Sequence, residues 1–320
     1  MPLVSVIVPI YGVEKYIERC ARSLFEQTLD DMEFIFVDDC TPDSSIDVLK
    51  KVLLAYPNRQ PQTRIYRMPQ NSGLHNVRKE GLKYATGDYI AHCDSDDWVD
   101  KDMYRSMYQY AVNNHCDLVK CHYYLSDEKN IRPVELYIGE KSKEEIVKEL
   151  LSVKGWNCIW DKLAKRELYR QQEIKYPTTP MWEDFVISTQ LLLRSQKFGV
   201  IDKHLYYYYC NPNSICTTKS NNADLKRCYD AIKNMEIIIP LVKEAYPGEN
   251  FEEELVMLKY EAKRKIIPMM ESYKNYHLWT LIYPEIDRPL LCNRMLKGIL
   301  YRQYLLVVLR LYPIFKLLKK

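Results

Sequence analysis

Largely apolar residues fall in short runs at residues 4–8, 34–37, 64–68 and 89–93, and helix-like stretches at 14–27, 44–56 and 74–85 lie between them. Runs this short, bounded by turn-forming residues, read as buried strands. The strand–helix alternation predicts a parallel sheet covered by helices on both faces. Ligands of such sheets bind beyond the C-terminal strand ends. The loops that fall there are Pro9-Ile10-Tyr11, residues 38–43, 69–73 and 94–98, so the polar clusters of the first hundred residues share one rim.

Further along, the pattern predicts a helix at 103–113, a strand at 116–124 and a helix at 142–153, then Gly155-Trp156-Asn157 and Trp182-Glu183-Asp184-Phe185. A helix to Arg194, a tyrosine-rich strand at 200–209 and a loop at 211–217 follow, and the pattern is helical beyond 221. For 320 residues this means a main α/β domain of about 200 residues with a smaller appended region.

Charge changes the picture only when it is divided. Residues 288–320 hold eight Lys or Arg and no acid, so the net +3 of the chain leaves residues 1–287 at −5. That distribution argues against a nucleic-acid enzyme, which would need basic residues along a groove in its main domain. It fits a C-terminal contact with an anionic membrane surface, although the apolar residues between Tyr304 and Leu309 surround the helix axis and would equally pack on the protein's own core. The longest uncharged run of the tail, between Arg302 and Arg310, is far short of the roughly 20 residues needed to span a bilayer. The N-terminus has no signal-peptide pattern.

The ten cysteines form no CxxC pair and read as reduced thiols, which gives the expectation of a cytoplasmic protein. Zinc at His115-Cys116 and Cys121-His122 is disfavoured, because strand alternation would put Cys116 and His122 on one face and Cys121 on the other. The 27 tyrosines suit either aromatic surfaces that stack on sugars or tyrosine-rich core strands.

Four clusters carry candidate chemistry. Asp94-Ser95-Asp96-Asp97 follows a strand directly; acids this close repel unless a cation joins them, and hard oxygen ligands suit Mg²⁺ or Mn²⁺. The same residues would also serve as a solvated turn capping the next helix. Asp38-Asp39 is placed to accept from a nucleobase or ribose, with Thr41 and Asp43 as helix caps. Asn71-Ser72-Gly73, followed by His75, Arg78 and Lys79, sets cations at a helix start, an arrangement that suits a bound diphosphate. Glu183-Asp184 opens a helix, where a carboxylate stays ionised as a general base must, or simply caps.

Ser5-Val6-Ile7-Val8-Pro9-Ile10-Tyr11, Val37-Asp38-Asp39, Asn71-Ser72-Gly73 with Arg78, Ala85-Thr86-Gly87-Asp88-Tyr89-Ile90 leading into Asp94-Ser95-Asp96-Asp97, and Trp182-Glu183-Asp184 occur in an order that resembles the inverting glycosyltransferases of family 2. Trp160-Asp161-Lys162-Leu163 and the late Tyr206 to Tyr209 with Ser214-Ile215 extend the likeness, which covers roughly residues 1–217 and points to the bacterial cell-surface polysaccharide type. The resemblance implies an α/β GT-A nucleotide-sugar fold with a mostly parallel central sheet flanked by helices, plus a C-terminal helical region. Residues 1–100 would be the nucleotide-sugar-binding half, 101–220 the acceptor-binding and catalytic-base half, and 221–320 a helical region with the basic tail.

It also implies roles. Asp38 or Asp39 would meet the base, Arg78 the uracil or phosphate region, and Asp94 and Asp96 the ribose and a Mn²⁺ or Mg²⁺ ion. Pro9, Tyr11, Asn71, Gly73 and Ser95 would complete the donor site. Asp184 would be the catalytic base with Glu183 as its understudy, and His204 is the candidate for a further metal ligand. Lys79 stands where the family often has Asn, which leaves that corner open. The implied reaction moves a sugar from a nucleotide diphosphate donor, a UDP-sugar, to a saccharide or lipid-linked saccharide hydroxyl at the inner face of the cell membrane.

Rival enzyme classes fit less well: a haloacid dehalogenase-type phosphatase wants Thr or Val where Trp98 stands, Pro9-Ile10-Tyr11-Gly12 is no nucleotidyltransferase cradle, and GxGxxG is missing. The alternative from another class is a noncatalytic carbohydrate-binding or scaffold protein on the same fold.

Overall fold

The seven consecutive buried residues of β1 (Val4–Ile10) lie at the heart of a nine-stranded sheet. The computed structural model describes residues 1–127, 129–135, 141–152, 157–170, 174–211, 220–292 and 295–318; Gly155-Trp156, Ser214-Ile215 and the loop at 212–217 lie outside them. The chain divides into two units, residues 1–141 with 158–214 and residues 142–157 with 215–320.

In the first unit β1, α1 (Ile17–Phe25), β2 (Met32–Asp38), α2 (Ser45–Leu54), β3 (Thr63–Arg67), α3 (Leu74–Tyr84) and β4 (Tyr89–His92) fall within three residues of the expected ends. β3, β2, β1 and β4 are parallel neighbours. Strand alternation sorts their side chains onto two faces. Val4, Val6, Val8, Phe34 and Phe36 pack with Ile17, Cys20 and Leu24 of α1, whereas Ile7, Ile35, Val37 and Ile90 meet Val77 of α3 on the opposite face.

Beyond β4 the sheet changes character. After β5 (Trp98–Val99), α4 (Met103–Asn113), β6 (Leu118–Ser126) and β7 (Ile131–Val134), the chain leaves for α5 (Lys143–Leu151) of the second unit. It returns with β8 (Lys162–Lys165), α6 (Arg166–Arg170), α7 (Glu183–Arg194) and β9 (Phe198–Tyr209). The strand order is β3-β2-β1-β4-β8-β6-β9-β5, with β7 on β6. β8 runs antiparallel to both β4 and β6, β5 antiparallel to β9, and β6 parallel to β9. The parallel expectation thus describes the first four strands, and the remainder is mixed.

One local expectation is corrected, and one open reading is decided. Cys116 precedes β6, in the turn where His115 has φ of 54°, and the β6–β9 register shifts on both sides of His122. Simple alternation therefore does not govern that segment: Cys121 enters the core and His122 lies 3.3 Å from Asp202. Tyr206 is wholly buried against Trp160, the core reading of the tyrosine-rich strand, while Trp98, Tyr207 and Tyr124 stack half-buried beside it.

In the second unit, α5 carries a capping box made by Ser142 and Glu145 and packs with α9 (Glu252–Lys263), Lys148 reaching toward Glu249 and the Phe251 ring. α8 (Asn221–Ala245), α9, α10 (Tyr276–Leu281), α11 (Asp287–Cys292), α12 (Gly298–Val308) and α13 (Tyr312–Leu317) complete it. Their core gathers Cys228, Tyr260, Trp279, Tyr304, Val307 and Tyr312. No helix among the described residues is long and apolar enough to cross a membrane.

Candidate active site

β4 ends at His92, and the chain turns through Asp94 to Asp97, whose amide donates to the Asp94 carbonyl at 3.1 Å. Long-range contacts hold this turn. The Tyr206 hydroxyl of β9 receives the Asp94 amide at 3.1 Å and donates to Asp97 Oδ2 at 2.6 Å, and the Tyr209 amide donates to Asp97 Oδ1 at 2.7 Å. Arg19 of α1 donates to the Asp96 carbonyl at 2.8 Å while its guanidinium lies 3.8 Å over the Trp98 ring. Asn211 Nδ2 donates to Asp96 Oδ2 at 2.9 Å. Asp97 is therefore an internal anchor rather than the cap expected of it; Asp102 occupies the N-cap position of α4. Ser95 is buried within the turn.

Burial raises the Asp96 carboxyl, with Asp94 adding to the effect, and burial followed by Asp96 and Asp94 raises Asp97 well above the usual range. Such mutual repulsion is what a divalent cation relieves, and Asp94 and Asp96, both incompletely buried, supply the one or two carboxylates that Mg²⁺ or Mn²⁺ takes from a protein. The residues fit a metal of that kind. Among the described residues no group of three or more His, Cys, Asp and Glu assembles as a metal cluster. His204, the candidate for a further ligand, lies against the rings of His122 and Tyr124 in tilted contacts, at 5.2 and 4.9 Å between ring centroids.

Arg78 joins this turn to α7. Its guanidinium, on a residue only 5% exposed, gives Nη2 to Asp94 Oδ1 at 2.5 Å and Nη1 to Glu183 Oε1. Its Nε has no hydrogen-bond partner among the described residues. Trp182 enters α7 with φ of 65°, a left-handed conformation that costs a non-glycine residue about 1–3 kcal/mol. That strained entry sets Glu183 and Asp184 on the first turn of the helix. Glu183 is buried against Arg78, whereas Asp184 is half-buried and its Oδ1 receives the Phe185 amide at 2.9 Å. Burial pushes the Asp184 carboxyl up to about 6; Arg78 and Lys162 pull it down and Asp94 raises it.

A second cluster orders the neighbouring loops. Asp38 Oδ1 receives the Thr41 amide at 2.8 Å and Oδ2 lies 3.2 Å from Arg67. Asp39 receives the Ser72 and Gly73 amides at 2.7 and 2.9 Å, one on each oxygen. Gly73, with φ of 83°, makes the turn into α3 that a side chain would strain. Neither Thr41 nor Asp43 is the helix cap expected of it: Ser44 holds the N-cap position of α2, Asp43 receives the amides of Glu14 and Ser45, and Thr41 receives that of Gly12, so both tie the loop before α2 to the segment after β1. Pro9 is buried within β1 opposite Val37; Tyr11 and Asn71 are exposed, and Lys79 lies 4.7 Å over the Tyr176 ring.

Sequence reasoning missed Arg19 and Asn211, single polar residues outside any cluster, and the hydroxyl of Tyr206, which lay within a strand read only for its apolar pattern.

The fold is shared with solved structures. Residues 1–349 of S. aureus TarS in complex with UDP-GlcNAc superpose with a TM-score of 0.61 at 17% identity, covering 98% of this chain and 88% of that one. A mannosyltransferase, PcManGT from Pyrobaculum calidifontis in complex with GDP-Man and Mn²⁺, gives 0.56 at 16% identity, covering 99% and 86%. In sequence, the uncharacterized glycosyltransferase EpsJ of Bacillus subtilis is 33% identical over 222 residues, 67% of this chain and 63% of that protein. The putative glycosyltransferase EpsH of the same organism is 29% identical over 221 residues, 67% and 62%. The matched stretch is thus under two thirds of either relative's own length. The model of the family Glycosyl transferase family 2 matches residues 5–174, a span containing the acidic turn, Arg78 and both buried acids of the Asp38-Asp39 pair; this chain belongs to that family.

Proposed function

We propose that this protein is an inverting glycosyltransferase that moves a sugar from a nucleotide diphosphate donor, a UDP-sugar, to a hydroxyl of a saccharide or lipid-linked saccharide. One observation carries the reading: Arg78 ties Asp94 of the acidic turn to Glu183, the residue beside Asp184, so a single guanidinium connects the two ends of the site. Asp184, with its carboxyl raised to about 6, is ionised at neutral pH and basic enough to draw a proton from an attacking hydroxyl. Glu183 orients Arg78. The acceptor oxygen attacks the anomeric carbon as Asp184 takes its proton, and one displacement inverts that centre. Mn²⁺ or Mg²⁺ held by Asp96 and Asp94 supplies, when bound, positive charge against the departing diphosphate. Asp38 and Asp39, by ordering the Thr41 and Ser72-Gly73 backbone, shape the part of the rim assigned to the nucleotide, with Pro9, Tyr11, Asn71, Gly73 and Ser95 around it. The complexes of the solved neighbours with UDP-GlcNAc and with GDP-Man and Mn²⁺ support a nucleotide-sugar donor and a divalent metal.

The tail completes the proposal. Tyr304, Val307 and Tyr312 pack into their own unit, yet Ile314, Leu317 and Leu318 are 48%, 72% and 83% exposed beside Arg310 and Lys316. Exposed apolar side chains in a basic tail support the reading of an anionic membrane surface as a partner and, with it, of a lipid-linked acceptor.

Thermal-shift screening of nucleotide sugars with and without Mn²⁺ identifies the donor, since a ligand of the folded state raises the midpoint. With that donor, Asp184→Asn is expected to lower transfer by about 10²–10⁴-fold while the donor-induced shift persists. Turnover near that of the unaltered enzyme would remove Asp184 as the base, and failure to turn over any donor that binds would favour a noncatalytic sugar-binding protein.

A further inference from the structure

Each carboxylate assigned to the metal has one oxygen committed to a donor from a distant element. Asp94 Oδ1 receives Arg78 Nη2 at 2.5 Å, and Asp96 Oδ2 receives Asn211 Nδ2 at 2.9 Å. Asn211 must present its nitrogen to Asp96, because its amide oxygen would set lone pairs against lone pairs. The partner oxygens, Asp94 Oδ2 and Asp96 Oδ1, are the ones left for a cation.

Backbone bonds fix Asn211 in that place. At the end of β9 the Tyr209 amide donates to Asp97 Oδ1 at 2.7 Å, the Cys210 amide to the Ser126 carbonyl at 2.7 Å and the Asn211 amide to the Tyr209 carbonyl at 2.8 Å. From the other side Arg19 of α1 holds the Asp96 carbonyl at 2.8 Å. One stretch of chain thus anchors Asp97 and orients the side chain of Asp96, the task that hydrogen-bonding partners of ligating carboxylates perform.

An acid with one oxygen occupied favours some cations over others. Ca²⁺ takes about six to eight oxygens in a flexible shell and readily accepts both oxygens of one carboxylate, whereas Mg²⁺ demands an octahedron to which a carboxylate gives a single oxygen, and Mn²⁺ also suits octahedral oxygen sites. We propose that Asn211 is a positioning residue that limits Asp96 to single-oxygen ligation and so sets the preference of the acidic turn for Mg²⁺ or Mn²⁺ over Ca²⁺. The inference rests on the reading of Asp94 and Asp96 as the metal ligands. Arg78 occupies Asp94 in the same way but also holds Glu183, so Asn211 is the partner whose removal reports on the cation site without releasing the start of α7.

The test counts free Mn²⁺ by electron paramagnetic resonance as the ion is titrated into the full chain with UDP, UDP alone serving as the reference. Bound Mn²⁺ is then displaced with Mg²⁺ or with Ca²⁺. The unaltered protein is expected to release Mn²⁺ at a lower concentration of Mg²⁺ than of Ca²⁺. In Asn211→Ala the Ca²⁺ midpoint should fall by about tenfold relative to the Mg²⁺ midpoint, since Asp96 then offers both oxygens. A general loosening of the turn would weaken both ions alike and leave their ratio unmoved, so an unchanged ratio in the folded variant overturns the proposal. Should Asn211→Ala lose its cooperative thermal transition, Asn211→Ser, which also withdraws the amide, is read by the same ratio. Unaltered protein that yields Mn²⁺ to Ca²⁺ as readily as to Mg²⁺ overturns the role of Asn211 and leaves the metal reading standing; protein that binds no Mn²⁺ beyond the UDP reference overturns both.

Discussion

Arg78 serves two carboxylates with one guanidinium, and that economy governs the chemistry around it. With Nη2 on Asp94 and Nη1 on Glu183, it leaves Asp184 half-buried beside a shared cation. Asp184, titrating at about 6, is ionised in half the molecules at that pH and in most of them at pH 7. Log kcat/KM for the identified donor is therefore expected to climb with a slope of about 1 below pH 6 and to level above it. A profile flat from pH 4.5 to 8 would take Asp184 out of the proton transfer. The sign for stability is opposite. The folded-state value exceeds the ordinary 3.8, so the group's stabilisation is full below about pH 4 and is lost as pH rises through 6. Asp184→Asn should accordingly raise the thermal midpoint more at pH 7.5 than at pH 4.5, as scanning calorimetry would report. Tyr206→Phe removes the hydroxyl between the Asp94 amide and Asp97, which is 1% exposed. Leaving that acid short of a donor is expected to cost about 1–3 kcal/mol in urea denaturation.

Single elements explain what could be read in advance and what could not. The apolar runs of β1, β2 and β4 announced themselves because strands buried on both faces are apolar throughout. β8 did not: two of its four residues are lysine, its apolar content is two residues, and its place between β4 and β6 depends on pairings made far along the chain. The acidic turn was legible as a cluster after a strand, but its anchoring by Tyr206 and Tyr209 spans more than a hundred residues and leaves no local signal. The segment before β4 shows a tighter local demand. A Cβ on Gly87 would stand 2.7 Å from both the Ser5 amide nitrogen and its Oγ, while the Gly87 amide donates to that same oxygen at 2.8 Å. Gly87→Ala must push β4 from β1 and is expected to destabilise by about 1–3 kcal/mol, read as a lower urea midpoint at unchanged slope.

For the molecule as a whole, residues 1–287 carry net −5 and the tail carries eight positive charges. Full-length protein is expected to float with phosphatidylglycerol vesicles, to float less as salt rises, and to stay behind with phosphatidylcholine. Ile314→Glu with Leu317→Glu, both at exposed positions, should abolish flotation without lowering the thermal midpoint; undiminished flotation would remove the tail from membrane binding. The insertion of β8 between β4 and β6 also dictates an order of assembly. Until the chain has passed residue 165, β4 has only β1 beside it and offers an open edge, the part of a sheet most prone to wrong pairing. The anchors of the acidic turn come later still, with Tyr206 and Tyr209. On the ribosome, then, the carboxylates at residues 94–97 emerge early and acquire their fixed arrangement only after more than a hundred further residues have been made, so a half-synthesised chain carries the acids of the site but not the scaffold that aims them.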